Sequence, residues 1–458
     1  MSRAQPDPGE RRAAWREGLD RLRAAATTEP GRLRVIGAAL AALLVAFGGV
    51  TAWQVTSRAA AADAVVTHSQ PLSADAADIY RSLADADTAA ATGFLAGGRE
   101  PRAVRQRYEN DISVAARLLA EAAAGTDADA PAGRQIATLT EQLPVYTGLV
   151  EQARAAGRQG LPLGGAYLRY ASDRMREQLL PAAQSLYVAE TLRLESDYDD
   201  ATAWPWAALA TGVAALGALG WAQRRTYLRT HRVFNHGLVG ATAAATVTLL
   251  WLTAGHGVAS AGLSSSRDHG ARALQVLNEA RIASLQARGD ESLTLVARGA
   301  VLTAEGEDAY EAGYQDEMQR LTGRVVVGER HGETDTEGLL GRARSLTGGP
   351  GRERTEAVLR DVTEWQRRHR SARAADESGY YDRALPEVIG EKNSTGEMFD
   401  RVDAGLRQAL VLEQKRFRTA ADDGRGALTG LAAGAAVLAL LGATAAVLGV
   451  GRRLSEYR

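Results

Sequence analysis

Most of the chemistry open to this sequence runs through arginine. Residues 223–236 read QRRTYLRTHRVFNH, with Arg224, Arg225, Arg229 and Arg232 and no acid among them. Such a cluster suits docking of an acidic protein or lipid surface. It also suits fixing the direction of neighbouring membrane spans, because Arg and Lys collect on the cytoplasmic side. The second role accounts for the cluster by itself and is placed first. Another run, Arg367-Arg368-His369-Arg370, offers guanidinium forks that match a carboxylate. Its spacing also fits the solvated face of a helix with His369 at the edge of an apolar stripe, and that reading is preferred. Asp197, Asp199 and Asp200 would attract a cation, but they sit at one helix end without a calcium-type loop and are set aside.

Other chemistry is excluded. The chain has no cysteine, so thiolate metal sites, cysteine nucleophiles and disulfides do not arise. It carries no GxxxxGK[ST], HExxH or GxSxG sequence and no kinase or phosphatase set. No enzymatic activity, cofactor or metal is therefore expected. A formal net charge of −1 argues against nucleic acid as a partner, since phosphate contacts need a basic surface. Nearly all basic residues are Arg, with Lys at positions such as Lys392 and Lys415. Together with abundant Ala and Gly, this is the composition of GC-rich, actinobacterial genomes.

The elements that position these residues follow from hydropathy. Four apolar stretches, 35–55, 204–222, 237–258 and 427–450, are long enough to cross a bilayer, which takes roughly 20 residues. The first could be mistaken for a signal peptide because Ala59–Ala62 resembles a cleavage region, but its tail and apolar run are too long. Basic residues flank one side consistently: the tail 1–34, the bridge 223–236 and the stub 451–458. The expected layout is a multi-pass cell-membrane protein in contact with lipid, both termini cytoplasmic, with 56–203 and 259–426 outside. Trp53, Trp204 and Trp206 would mark the outer interface and Trp221 the inner one. His256 falls near the outer end of the third span, where it can still meet water. No Asp, Glu, Lys or Arg lies inside a span, which weighs against an ion-coupled transporter.

Segment 56–203 reads as four helices. Val104, Tyr108, Ile112, Ala115 and Leu119 step by three and four, as do Ile136, Leu139, Leu143, Tyr146 and Val150. Pro144 should kink the third helix. Segment 259–426 repeats the plan: Tyr314-Gln315-Asp316-Glu317-Met318 answers Tyr108-Glu109-Asn110-Asp111-Ile112, and an irregular stretch contains Val325-Val326-Val327 and Gly332. Ser394-Thr395-Gly396-Glu397 is a capping box that starts the last helix. The expected fold is all-α: four transmembrane helices with two extracytoplasmic antiparallel helical bundles, an internal duplication. Each bundle is expected to fold without metal or disulfide.

Two further groups of residues concern packing and transmission. Gly426, Gly430, Gly434 and Gly442 lie on nearly one face and would let helices approach closely. Where a bundle helix meets a span, the first unit carries Pro205 and the second Gly424, so the first joint is expected to be kinked or broken and the second soft.

AYLRYASDRMREQLLPAAQSLY (166–187) and STGEMFDRVDAGL (394–406), each placed before a span, resemble one actinobacterial protein group. This is the four-span membrane component of a module with a glutamine-binding-type solute-binding lipoprotein and a soluble serine/threonine kinase, kinase G. The resemblance implies relay of external amino-acid availability, through the lipoprotein, to a cytoplasmic kinase; it carries over no defined functional residue. Two alternatives of different class are a direct small-molecule receptor, which needs a polar pocket between bundle helices, and a structural membrane scaffold.

Overall fold

The computed structural model describes residues 29–97, 100–126, 129–230, 235–323 and 338–455. Most of the basic tail, Arg232, Val325–Val327 and Gly332 lie outside the described residues, and at Arg229 only the backbone is described. The elements are helical. The first half of the chain forms Glu29–Ala64 (α1), Gln70–Leu95 (α2), Arg102–Gly125 (α3), Pro131–Arg158 (α4), Leu163–Arg174 (α5), Leu180–Thr202 (α6) and Trp206–Thr230 (α7). The second forms His236–Ser265 (α8), Arg272–Ala297 (α9), Ala309–Thr322 (α10), Leu339–Leu346 (α11), Pro350–Glu377 (α12), Tyr381–Ile389 (α13), Thr395–Gly426 (α14) and Leu431–Ser455 (α15). Four helical runs are long and apolar enough to cross a membrane, which marks a multi-pass membrane protein.

Among the described residues three π-turns interrupt the helices, at Val65–Ser69, Met175–Leu179 and Ser266–Ala271. The first two end two residues before Pro71 and Pro181. A proline ring clashes with the carbonyl four residues back, and widening the preceding turn removes that contact. The third has no proline; there Gly270 lies against the backbone of Phe417. Pro144, by contrast, sits inside an uninterrupted α4.

The chain divides into two compact units. The apolar unit combines the described parts of 1–62, 200–262 and 423–458. Leu40 and Leu44 of α1, Leu219 of α7, Leu238 and Ala241 of α8 and Ala446 of α15 share its core. Small residues set the spacing: a Cβ at Gly237 would run into the backbone of Gly449 and Ala445, and one at Gly434 into the Trp251 ring. Asn235 caps α8, its Oδ1 accepting from Gly237 N at 3.1 Å while its Nδ2 donates to Gly449 O at 2.9 Å.

The polar unit combines 63–199 and 263–422. Here the expectation of two bundles is refined. The two segments share one apolar core, with Ile79, Leu139 and Met175 from one and Leu277, Trp365 and Leu406 from the other. At its centre α2 and α9 lie against each other; Thr88 Oγ1 donates to Leu285 O at 3.0 Å across the pair. Both helices are buried on nearly every side over 82–91 and 280–295. Alanines on both, such as Ala84, Ala91, Ala280 and Ala287, permit that approach.

Ser394 accepts from Glu397 N at 3.0 Å, and the Glu397 carboxylate accepts from Asn393 N at 2.7 Å, so the capping box starts α14. Asp308 caps α10 by accepting from Tyr310 N and Glu311 N. The short helices α11 and α13 were not foreseen; at eight and nine residues they are too brief to draw a stripe.

Candidate functional site

Helices buried all round should carry no charge, yet α2 and α9 bury Asp85, Asp87, Arg281, Arg288, Asp290 and Glu291. Burying a charge is costly unless it is paired and hydrogen-bonded, and here each one is met. Arg281 reaches Asp403 of α14 at 2.6 Å. Asp85 accepts from Arg107 of α3 at 2.8 Å. Asp87 accepts from Ser172 at 2.7 Å and Tyr146 at 3.2 Å. Asp290 pairs with Arg176, which the π-turn Met175–Leu179 carries. Burial still raises the Asp290 carboxyl, to about 6, with Arg176 opposing. Burial followed by Asp85 raises Asp111 to about 7. Arg107 and Arg176 join the two segments, because each belongs to the first and pairs with acids of the second, Arg107 with Asp400 at 3.2 Å.

The densest cluster surrounds His369. Its Nδ1 lies 2.9 Å from Glu291 of α9 and its Nε2 3.1 Å from Glu311 of α10. Tyr314 stacks on the ring with centroids 3.6 Å apart, and Trp365 Nε1 donates to Glu291 at 3.3 Å. Arg288 pairs with Glu291 at 2.5 Å and donates to Thr395 Oγ1 and Val388 O. His369 is therefore not at the edge of a solvated stripe; it is 4% exposed. Its neighbours do face outward, Arg367 onto Glu364 and Arg368 onto Glu364 and Glu397. A comparable cluster lies in the first segment, where Arg154 stacks over Tyr108 at 4.2 Å and pairs with Glu100 and Glu151.

Burial pushes the His369 pKa down, but Glu291 and Glu311 outweigh it and hold the imidazole at about 9. The folded chain therefore binds this proton more tightly than the unfolded chain, whose imidazole titrates near 6.5. The resulting stabilisation, on the order of 3 kcal/mol, is complete below about pH 6.5 and is lost as the pH rises through about 9. Chemical denaturation of wild type and His369→Gln should differ most at the acid end of that window and converge above it. A gap independent of pH would contradict the ion pairs.

The polar unit also contains a cleft of about 720 Å³. Its walls come from α2, α6, α14 and the start of α9 with the π-turn before it. Gln70 Nε2 donates to Gln414 Oε1 at 3.3 Å, and Ser73 and Thr191 hydroxyls meet at 3.2 Å, so amides and hydroxyls of three helices line it. Apolar side chains, among them Leu194, Leu274, Leu410 and Val411, line it as well. No sequence signal marked it, because its residues come from four separate stretches.

The residues singled out in the sequence are dispersed. Arg224 and Arg225 lie in α7, which continues to Thr230; Arg225 packs over Trp221 at 5.2 Å. Gly434 and Gly442 face Trp251 and Ala244 of α8, whereas a Cβ at Gly426 would meet open space. Gly430 has φ +77 and forms the turn between α14 and α15. Gly424 is inside α14, which ends at Gly426 in a turn closed by backbone bonds such as Leu428 N to Arg425 O. Pro205 precedes the first residue of α7, and this joint is held by side chains. Arg58 donates to Ala203 O at 2.6 Å and Trp204 O at 3.0 Å, Gln54 Oε1 accepts from Ala208 N, and His256 packs edge-on against Trp204. Asp197 accepts from Ser69, and Asp199 pairs with Arg267 at 2.6 Å.

The described residues are helical, and four of their runs are long and apolar enough to cross a membrane, the mark of a multi-pass membrane protein. Residues 61–199 match the family described as the actinobacterial sensor domain. Comparison with curated proteins and with solved structures returns no match.

Proposed function

We propose that this protein is a membrane signal-input component with its polar unit outside the cell and its output carried by a separate cytoplasmic protein. The cleft carries this reading, because it is built from the sensor-domain segment together with the segment that follows the third span. The matching Tyr108–Arg154 and Tyr314–His369 clusters, and π-turns at the start of both segments, support an internal duplication. The basic bridge fixes the direction of the spans, and docking of an acidic partner on the inner side is its second role. The sequence resemblance supplies the partners of this reading: amino-acid availability sensed through a solute-binding lipoprotein, and a serine/threonine kinase as output. The cleft favours a second input, direct binding of a small molecule. No residue is assigned a catalytic role.

Orientation is the decisive test. Alkaline phosphatase fused after Arg225 should be inactive, and inserted within 349–351 it should be active, since the enzyme folds only outside the cytoplasm. Activity at the first site would reverse the layout and remove the reading.

A further inference from the structure

The cleft of the polar unit sorts its charges by wall. The first segment contributes acids, Asp75 and Asp78 of α2 and Glu195 of α6. The second contributes mainly bases, Arg267 and Arg272 around the start of α9 and Lys415 and Arg418 of α14, with Asp422 its one acid. Some of these are already matched: Asp78 with Arg81 at 3.1 Å, Arg267 with Asp199 at 2.6 Å, and Arg272 with Asp268 at 3.0 Å. Others are not. Among the described residues Glu195, Lys415 and Arg418 have no side-chain partner, and Asp75 makes no hydrogen bond or ion pair. Burial, then the neighbouring Asp78 and Glu121, pushes the Asp75 carboxyl up, with Arg117 opposing. Lys415 and Arg418 are three residues apart on one helix and so share a face.

Unmatched acids on one wall and unmatched bases on the other select a ligand with an ammonium at one end and a carboxylate at the other. The same walls carry neutral donors and acceptors, Gln70 and Ser73 on α2, Asn278 on α9 and Gln414 on α14, of the kind that pair with amide groups. The volume of about 720 Å³ falls in the range of clefts that enclose drug-sized molecules, more than a single amino acid fills. We propose that the cleft binds a short peptide in its zwitterionic form. Its terminal ammonium meets Asp75 and Glu195, its terminal carboxylate meets Lys415 and Arg418, and its amides meet the neutral residues. The proposal deepens the sensor reading by naming the ligand, and it rests on that reading only for the use made of binding.

The test is calorimetric titration of the full chain in lipid nanodiscs with a panel of tripeptides, including trialanine, against their N-acetyl and C-amide forms and against free amino acids. At least one uncapped tripeptide should bind, and capping either end should weaken it by at least about tenfold, the loss of one charge-assisted hydrogen bond. The double variant Lys415→Gln with Arg418→Gln should weaken the free peptide as amidation does, and amidation should then cost nothing further. Asp75→Asn with Glu195→Gln should behave in the same way towards acetylation. The four side chains are exposed or half-exposed, so the fold should survive, which an unchanged circular-dichroism spectrum and melt of each variant check. No tripeptide binding at millimolar concentration, equal binding of capped forms, binding of free amino acids alone, or indifference to the variants overturns the proposal. Output that still follows external nutrients without peptide binding would leave the sensor reading standing; peptide binding without output would do the reverse.

Discussion

Excised from the chain, residues 63–199 should lose their cooperative unfolding transition and regain it when 263–422 is supplied. The reason is the α2–α9 pair. Without α9, the face of α2 around Thr88 is exposed, and its hydroxyl loses the bond to Leu285 O. Tyr80 loses Gln286, Arg176 loses Asp290, and Arg107 keeps Asp85 but loses Asp400 and Asp403. Domains retain only about 5–15 kcal/mol of net stability, and opening one face of the shared core takes a comparable amount. Circular dichroism of the monomeric fragment should show residual helix and a broad melt. A sharp transition in the fragment alone would mean that each segment holds its own core.

Glu291→Gln should be the most damaging single substitution in the polar unit. One carboxylate there serves three donors: Arg288, His369 and Trp365. Arg288 and His369 hold it below the usual carboxylate range despite full burial, which by itself would raise it. Gln keeps the volume and removes the charge, leaving two buried cations side by side with only Glu311 near. Breaking a buried pair by neutralising one member costs about 3–5 kcal/mol, or on the order of 10 °C in melting temperature for a unit of this size. Thermal melts of wild type and variant followed by circular dichroism measure the loss. A second change, His369→Gln, should restore part of the stability by removing one of the stranded cations. A wild-type melting temperature in Glu291→Gln would remove the cluster from any structural role.

Sequence alone determined the features that depend on a contrast between one helix face and the other, or between a span and its flanks. The four apolar stretches, the stripes through Tyr108 and Tyr146 and the capping box at Ser394 are of this kind. Each is a local pattern, because lipid or water on one side and protein on the other imposes a period on the residues. Tertiary structure decided what has no such period. α2 and α9 mix alanine with Asp85, Asp87, Arg281 and Glu291; they lie at the centre because each of these finds a partner there, Asp85 in Arg107, Asp87 in two hydroxyls, Arg281 in Asp403 and Glu291 in Arg288 and His369. His369 reads as part of a basic run until Glu291 and Glu311, on two other helices, are placed against its two nitrogens. The cleft exists only where four helices from both segments meet. Burial and pairing are relations between distant residues, and no spacing along one helix encodes them.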